Sequence, residues 1–126
     1  MFEQDYIMRL IKEMVRTILK LVFDIDTDSP SAELLENKEE RELLESLLDM
    51  VDNGNASRAE ERLQELIGDN SSSLMLELLF YSYLNDKPDE FLEESGLSRE
   101  KIKIGLDQAM DRYDLGGIAA VLLSDI

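Results

Sequence analysis

The stretch FEQDYIMRLIKEMVRTILKLVF, residues 2–23, decides the fold. It holds no Gly and no Pro, and its polar residues recur at helical spacing. At about 100° per residue, Asp5, Arg9, Lys12, Glu13, Arg16 and Lys20 fall within a sector of roughly 100°. Tyr6, Ile7, Met8, Leu10, Ile11, Met14, Val15, Ile18, Leu19, Leu21 and Val22 take most of the remaining circumference. A surface helix of a globular protein usually carries a wider polar face than this. The pattern therefore predicts a helix covered on most sides, by its own chain or by another molecule. It makes Tyr6, Leu10, Ile11, Met14 and Ile18 the candidate apolar contact residues, with Arg9, Arg16 and Lys20 on the basic edge.

Charge sets this helix apart from the rest of the chain. Residues 1–23 carry four basic and three acidic groups, net +1, whereas the remainder carries nine basic and 26 acidic groups, net −17. The total of −16 repels phosphate backbones and argues against a nucleic-acid partner. Acidic helices of the same or a second copy would complement the basic edge, since Arg16 and Lys20 repel each other at i,i+4.

The 126 residues suit one all-helical domain, 1–126, with a core of its own. Cysteine and histidine are both missing. Thiolate zinc sites, disulfides, histidine bases and Glu-x-x-His di-iron motifs are thereby excluded. The expectation is a cytoplasmic protein without cofactor. Glu3 and Asp5 spoil a signal-peptide start, and Arg9, Lys12, Glu13, Arg16 and Lys20 interrupt a membrane span. An in-plane membrane helix fits the basic edge, but the apolar sector is wide for one and the acidic body opposes anionic lipid.

Beyond residue 23 the chain reads as an acidic linker, 24–37, and then a series of short helices over 38–125. Pro30 interrupts the linker, and a helical turn fits 31–37. Helices are predicted near 39–51, 56–67, 73–84, 88–94, 99–113 and 117–124. Gly54 supplies a left-handed stop for the first, Gly68 to Asn70 closes the second, Ser71 or Ser72 caps the third, Pro88 opens the fourth and Ser98 caps the fifth.

The turns between paired helices are evenly spaced. Gly54 to Lys87 is 33 positions and Lys87 to Gly117 is 30, near the roughly 34-residue period of tetratricopeptide repeats. Gly54-Asn55-Ala56-Ser57-Arg58-Ala59 resembles that family's inter-helix signature, in which a Gly ends one helix and a small Ala lets the next approach. The resemblance spans about 38–125, is fullest in the first unit, and implies antiparallel helix pairs. The opening Met1 to Ile11, with the acidic helical remainder, also looks like an uncharacterised family of short bacterial proteins. That resemblance implies no catalytic residues.

Other motifs point to weaker chemistry. Asp24-x-Asp26-x-Asp28 opens like a calcium loop, but Leu35 stands where the bidentate Glu belongs and Ser29 where the Gly belongs. It reads as a solvated linker. Glu39, Glu40, Glu42 and Glu45, or Glu60 and Glu61, could pair as glycosidase carboxylates, yet with 29 acids in the chain such pairs arise by chance. Phe80, Tyr81 and Tyr83 form an aromatic cluster that reads as core, with Tyr81 its exposed member and a candidate contact residue.

The expected architecture is all-α: an N-terminal helix followed by three antiparallel helix pairs stacked as a short tetratricopeptide-like solenoid, with an irregular bundle as the alternative. The expected function is a non-catalytic protein–protein interaction module or small adaptor, acting on a protein partner or as a homodimer through the N-terminal helix. The alternative is reversible binding of that helix to a membrane surface or a large complex.

Overall fold

The computed structural model describes residues 2–117. Among these residues six α-helices and a 3-10 turn come in the order α1 (Phe2–Phe23), the turn (Ala32–Leu34), α2 (Lys38–Asp52), α3 (Ala56–Gly68), α4 (Leu74–Asn85), α5 (Asp89–Glu94) and α6 (Arg99–Arg112). No strand occurs among the described residues, as the helical periodicity predicts. The helix expected at 117–124 lies outside the described residues, apart from Gly117.

Short polar side chains set the helix starts. Asn37 Oδ1 accepts from the Glu40 N–H at 3.0 Å and opens α2, and Ser98 Oγ accepts from the Lys101 N–H at 3.3 Å and opens α6. Ser73 caps α4, accepting from the Leu76 N–H at 3.2 Å; this corrects the expectation of Ser71 or Ser72. Four helix ends share one device. Gly54, Asn70, Gly96 and Asp114 each adopt positive φ, and the next N–H bonds five residues back, as from Asn55 to Met50 and from Ser71 to Leu66.

Two antiparallel hairpins lie side by side. α2 pairs with α3, and α4 pairs with α6. α5 is a single short helix inside the second connection, so the pairing of 73–84 with 88–94 expected from turn spacing is replaced by α4 with α6. The first helices of the hairpins run parallel: the α2 start shares a concavity with Ser73 and Leu74, while Asp52 at the α2 end accepts from Tyr83 OH at 2.7 Å. α4 occupies the middle, against α1, α2, α6 and the 3-10 turn, and it is buried almost all round.

α1 folds back on its own chain, against α4 and α6. Leu10, Ile11, Met14, Val15, Ile18 and Leu19 are its buried face, contributing about 1.5–3 kcal/mol each before the entropy of ordering is charged against them. Asn85 Nδ2 donates to the Met8 carbonyl at 3.0 Å and ties the start of α1 to the end of α4. The cover stops short of the helix ends: Tyr6, Leu21 and Val22 stay 54%, 61% and 43% exposed. Within its own chain the cover of α1 is therefore partial, and length is one reason. α1 has 22 residues and α4 has 12, so at roughly 1.5 Å per residue α1 overhangs its main neighbour.

The linker is less solvated than its composition suggests. Leu35 is buried, and Ile25 and Leu34 pack against the core. The Arg41 guanidinium pins the strap by donating to the Leu35 carbonyl at 3.1 and 2.8 Å.

Candidate functional site

The end of the molecule that holds the α1 C-terminus, the 3-10 turn and the α2 and α4 N-termini is furrowed. Three concavities lie there. The first, about 540 Å³, is lined by Phe23, Ile25, Leu34, Leu35, Leu74 and Met75, with Glu36, Asn37, Glu40 and Ser73 also lining it. The second, about 340 Å³, shares Asn37 and Glu40 with the first and adds Glu39, Leu43, Asn70, Ser71 and Ser72. The third, about 240 Å³, shares Asn70 and Ser72 with the second and adds Ile67, Glu77, Arg112 and Tyr113. Shared lining residues set them side by side as a furrow: apolar at one end, acidic in the middle, hydrogen-bonded at the other.

Local chemistry fixes each wall. The strap, held by Arg41, presents Leu34 and Leu35. The Asn37 cap sets the first turn of α2, which presents Glu39 and Glu40. The Ser73 cap starts α4 with Leu74 and Met75.

The polar end is built around Glu77, which is fully buried. Its Oε1 pairs with the Arg112 guanidinium. Its Oε2 accepts from Ser72 Oγ at 3.0 Å and Tyr113 OH at 3.2 Å. Three donors on one carboxylate offset the cost of burying it. Burial, and then the Glu77 charge, push the Tyr113 phenol up to about 12.

A second polar cluster ties α2 to the end of α4. Asp52 accepts from Tyr83 OH at 2.7 Å and from Lys87 Nζ at 2.8 Å. Lys87 Nζ also lies 4.7 Å from the Tyr83 ring centroid and 5.2 Å from that of Phe91. The hydrogen bond from Lys87 draws Asp52 below its ordinary carboxyl value, and the same bond raises Lys87. Both groups are thereby held in their charged forms, and neither is poised to exchange a proton near neutral pH.

The residues singled out in the sequence scatter. Leu10, Ile11, Met14 and Ile18 are buried against their own chain, so they offer no free surface. Tyr6 and Arg9 are exposed. Arg16 and Lys20 lie 3.8 and 3.5 Å from Asp26, which answers their mutual repulsion from the linker. Tyr81, expected as the exposed aromatic, is 1% exposed. Its OH donates to Glu60 Oε2 at 3.1 Å, and its ring rests on the bare backbone of Gly105. Burial, chiefly, raises its phenol. Among the described residues no three carboxylates gather as metal ligands, and no helix is long and apolar enough to cross a membrane.

The furrow itself escaped the sequence reading. One signal was present: Glu77 is the lone charge in LMLELLFYSYLN, the sequence of α4. A carboxylate in so apolar a helix must find partners.

A family model described as Family of unknown function (DUF6483) matches residues 1–114. No curated protein and no solved structure matches the chain.

Proposed function

The chain belongs to this family of unknown function, and from that premise we propose that it is a non-catalytic protein–protein interaction module or small adaptor. The observation that carries the reading is the surface α1 leaves free after its own packing is complete. Tyr6, Leu21 and Val22 remain exposed towards the two ends of a helix whose central apolar face is buried, and Arg9 and Lys12 stand on that helix in no ion pair with the described residues. The tetratricopeptide-like part of the reading draws support from two hairpins with parallel first helices, starting at Lys38 and Leu74, 36 positions apart. The membrane alternative would require α1 to withdraw six apolar residues from the core before they could enter lipid.

The test is site-specific photo-cross-linking of the full chain in its source cell, with the photoreactive residue placed at Tyr6, Leu21 or Val22. A discrete protein adduct that disappears when Arg9 and Lys12 are reversed to Glu supports the module. An adduct with the chain itself, together with a dimer in sedimentation, assigns the contact to self-association. Adducts with lipid alone, or none at any position, would overturn the reading.

A further inference from the structure

We propose that the furrow is a docking groove for a basic, amphipathic segment of another protein; this rests on the interaction reading above and names the partner's chemistry. The groove exists because α1 outruns α4. Phe23 sits at the overhang and forms one wall, while Leu34 from the strap and Met75 from α4 help to close the apolar end. About 540 Å³ of open space there falls within the roughly 300–1,000 Å³ typical of sites that bury a ligand. Apolar side chains at i, i+3 and i+4 of a partner helix would fill such a groove.

Charge chooses the occupant. Glu36, Glu39 and Glu40 border the apolar end and the middle, and none is in an ion pair with a described residue. Arg112 is the one basic residue lining the described furrow, and Glu77 already holds it. The unpaired charge in the groove is therefore all negative, on a body of net −16. A second copy brings another −16, and an anionic membrane is repelled in the same way. A Lys- or Arg-rich segment is attracted at long range, oriented by the acidic middle and anchored by the apolar end.

The test uses the full chain and two synthetic helical peptides of equal positive charge. One carries Leu along one face and Lys along the other; in the second, Ser replaces every Leu. The Leu–Lys peptide should bind at least tenfold more tightly than its Ser counterpart, shift the Met75 methyl resonance, and weaken as salt rises. The triple variant Glu36→Gln, Glu39→Gln, Glu40→Gln should lose tenfold or more in affinity while keeping a cooperative thermal transition. Equal binding of both peptides overturns the proposal, because undirected charge attraction then accounts for it. Resonance shifts confined to Tyr6, Arg9 and Lys12 of α1 also overturn it, as does a dimer of the free chain that the triple variant dissociates. These results would leave a cross-linked α1 partner standing, whereas absence of any adduct removes the interaction reading itself.

Discussion

α1 and α4 are the two most apolar of the longer helices, and the bundle uses them in opposite ways. α1 is nearly twice as long and buries one face, Leu10 to Leu19, leaving Tyr6, Leu21 and Val22 in water. α4 buries ten of its 12 residues, including Glu77 and Asn85. The difference teaches that apolar width does not by itself set how much of a helix is covered. Cover depends on how many neighbours a helix meets and how far they extend along it. α4 meets α1, α2 and α6, while α1 leans on the α4/α6 hairpin and overshoots it. Polar residues on α4 must therefore find partners inside, and apolar residues at the ends of α1 are left outside.

The largest expected effects fall where the two helices meet. Leu78→Asp in α4 and Ile11→Asp in α1 each place a carboxylate at a site with no solvent exposure. Each should cost several kcal/mol of a total near 5–15 kcal/mol. Both variants should lose the cooperative thermal transition seen by circular dichroism. If Ile11→Asp melts like the parent, α1 is not held to α4 and the contrast fails.

Gly105→Ala comes next. An added Cβ would lie 2.7 Å from Tyr81 Cε1, so the buried ring must shift, which disturbs its hydrogen bond to Glu60. Destabilisation of about 1–3 kcal/mol is expected in urea unfolding, although alanine is the better helix former. A neutral outcome would show that α4 has slack on its α6 side.

Alkaline titration then separates the enclosed anchors of α4 from the open flank of α1. The Tyr113 phenol is raised in the folded state, so its contribution is present below the unfolded value, about pH 10, and is lost as pH climbs towards about 12. Thermal midpoints of the parent should fall across that window, and those of Tyr113→Phe should fall less. Identical curves would mean that Tyr113 does not rest on Glu77.

The smallest effects belong to the exposed side of α1 and its linker. Leu21→Glu and Asp26→Asn should each change stability by less than about 0.5 kcal/mol, because the sites are exposed and the Asp26 ion pairs are half-solvated. A loss at Leu21 comparable to that at Ile11 would show that another molecule covers the C-terminal end of α1 in solution.

Helix positions were largely legible in the sequence, because caps and stops act over a few residues: Ser98 at the α6 start and Gly54 at the α2 end were readable one residue at a time. The partnership of α4 with α6 was not, since even loop spacing does not reveal that 89–94 stays inside a connection. Tyr81 was misplaced for a related reason. Its exposure depended on Gly105, 24 positions away, offering a surface without a side chain. The furrow was invisible as well, because its walls come from four separate stretches and only Glu77 hinted at enclosure.

The sequence by itself determined an all-helical chain, a strongly acidic body and a basic-edged first helix, since periodicity, capping and charge are local or additive properties. Tertiary structure alone decided which apolar helix became the centre, which face of α1 stayed wet and where a groove opened. Those outcomes depend on relative helix lengths and on contacts between residues far apart in the chain, which no local pattern encodes.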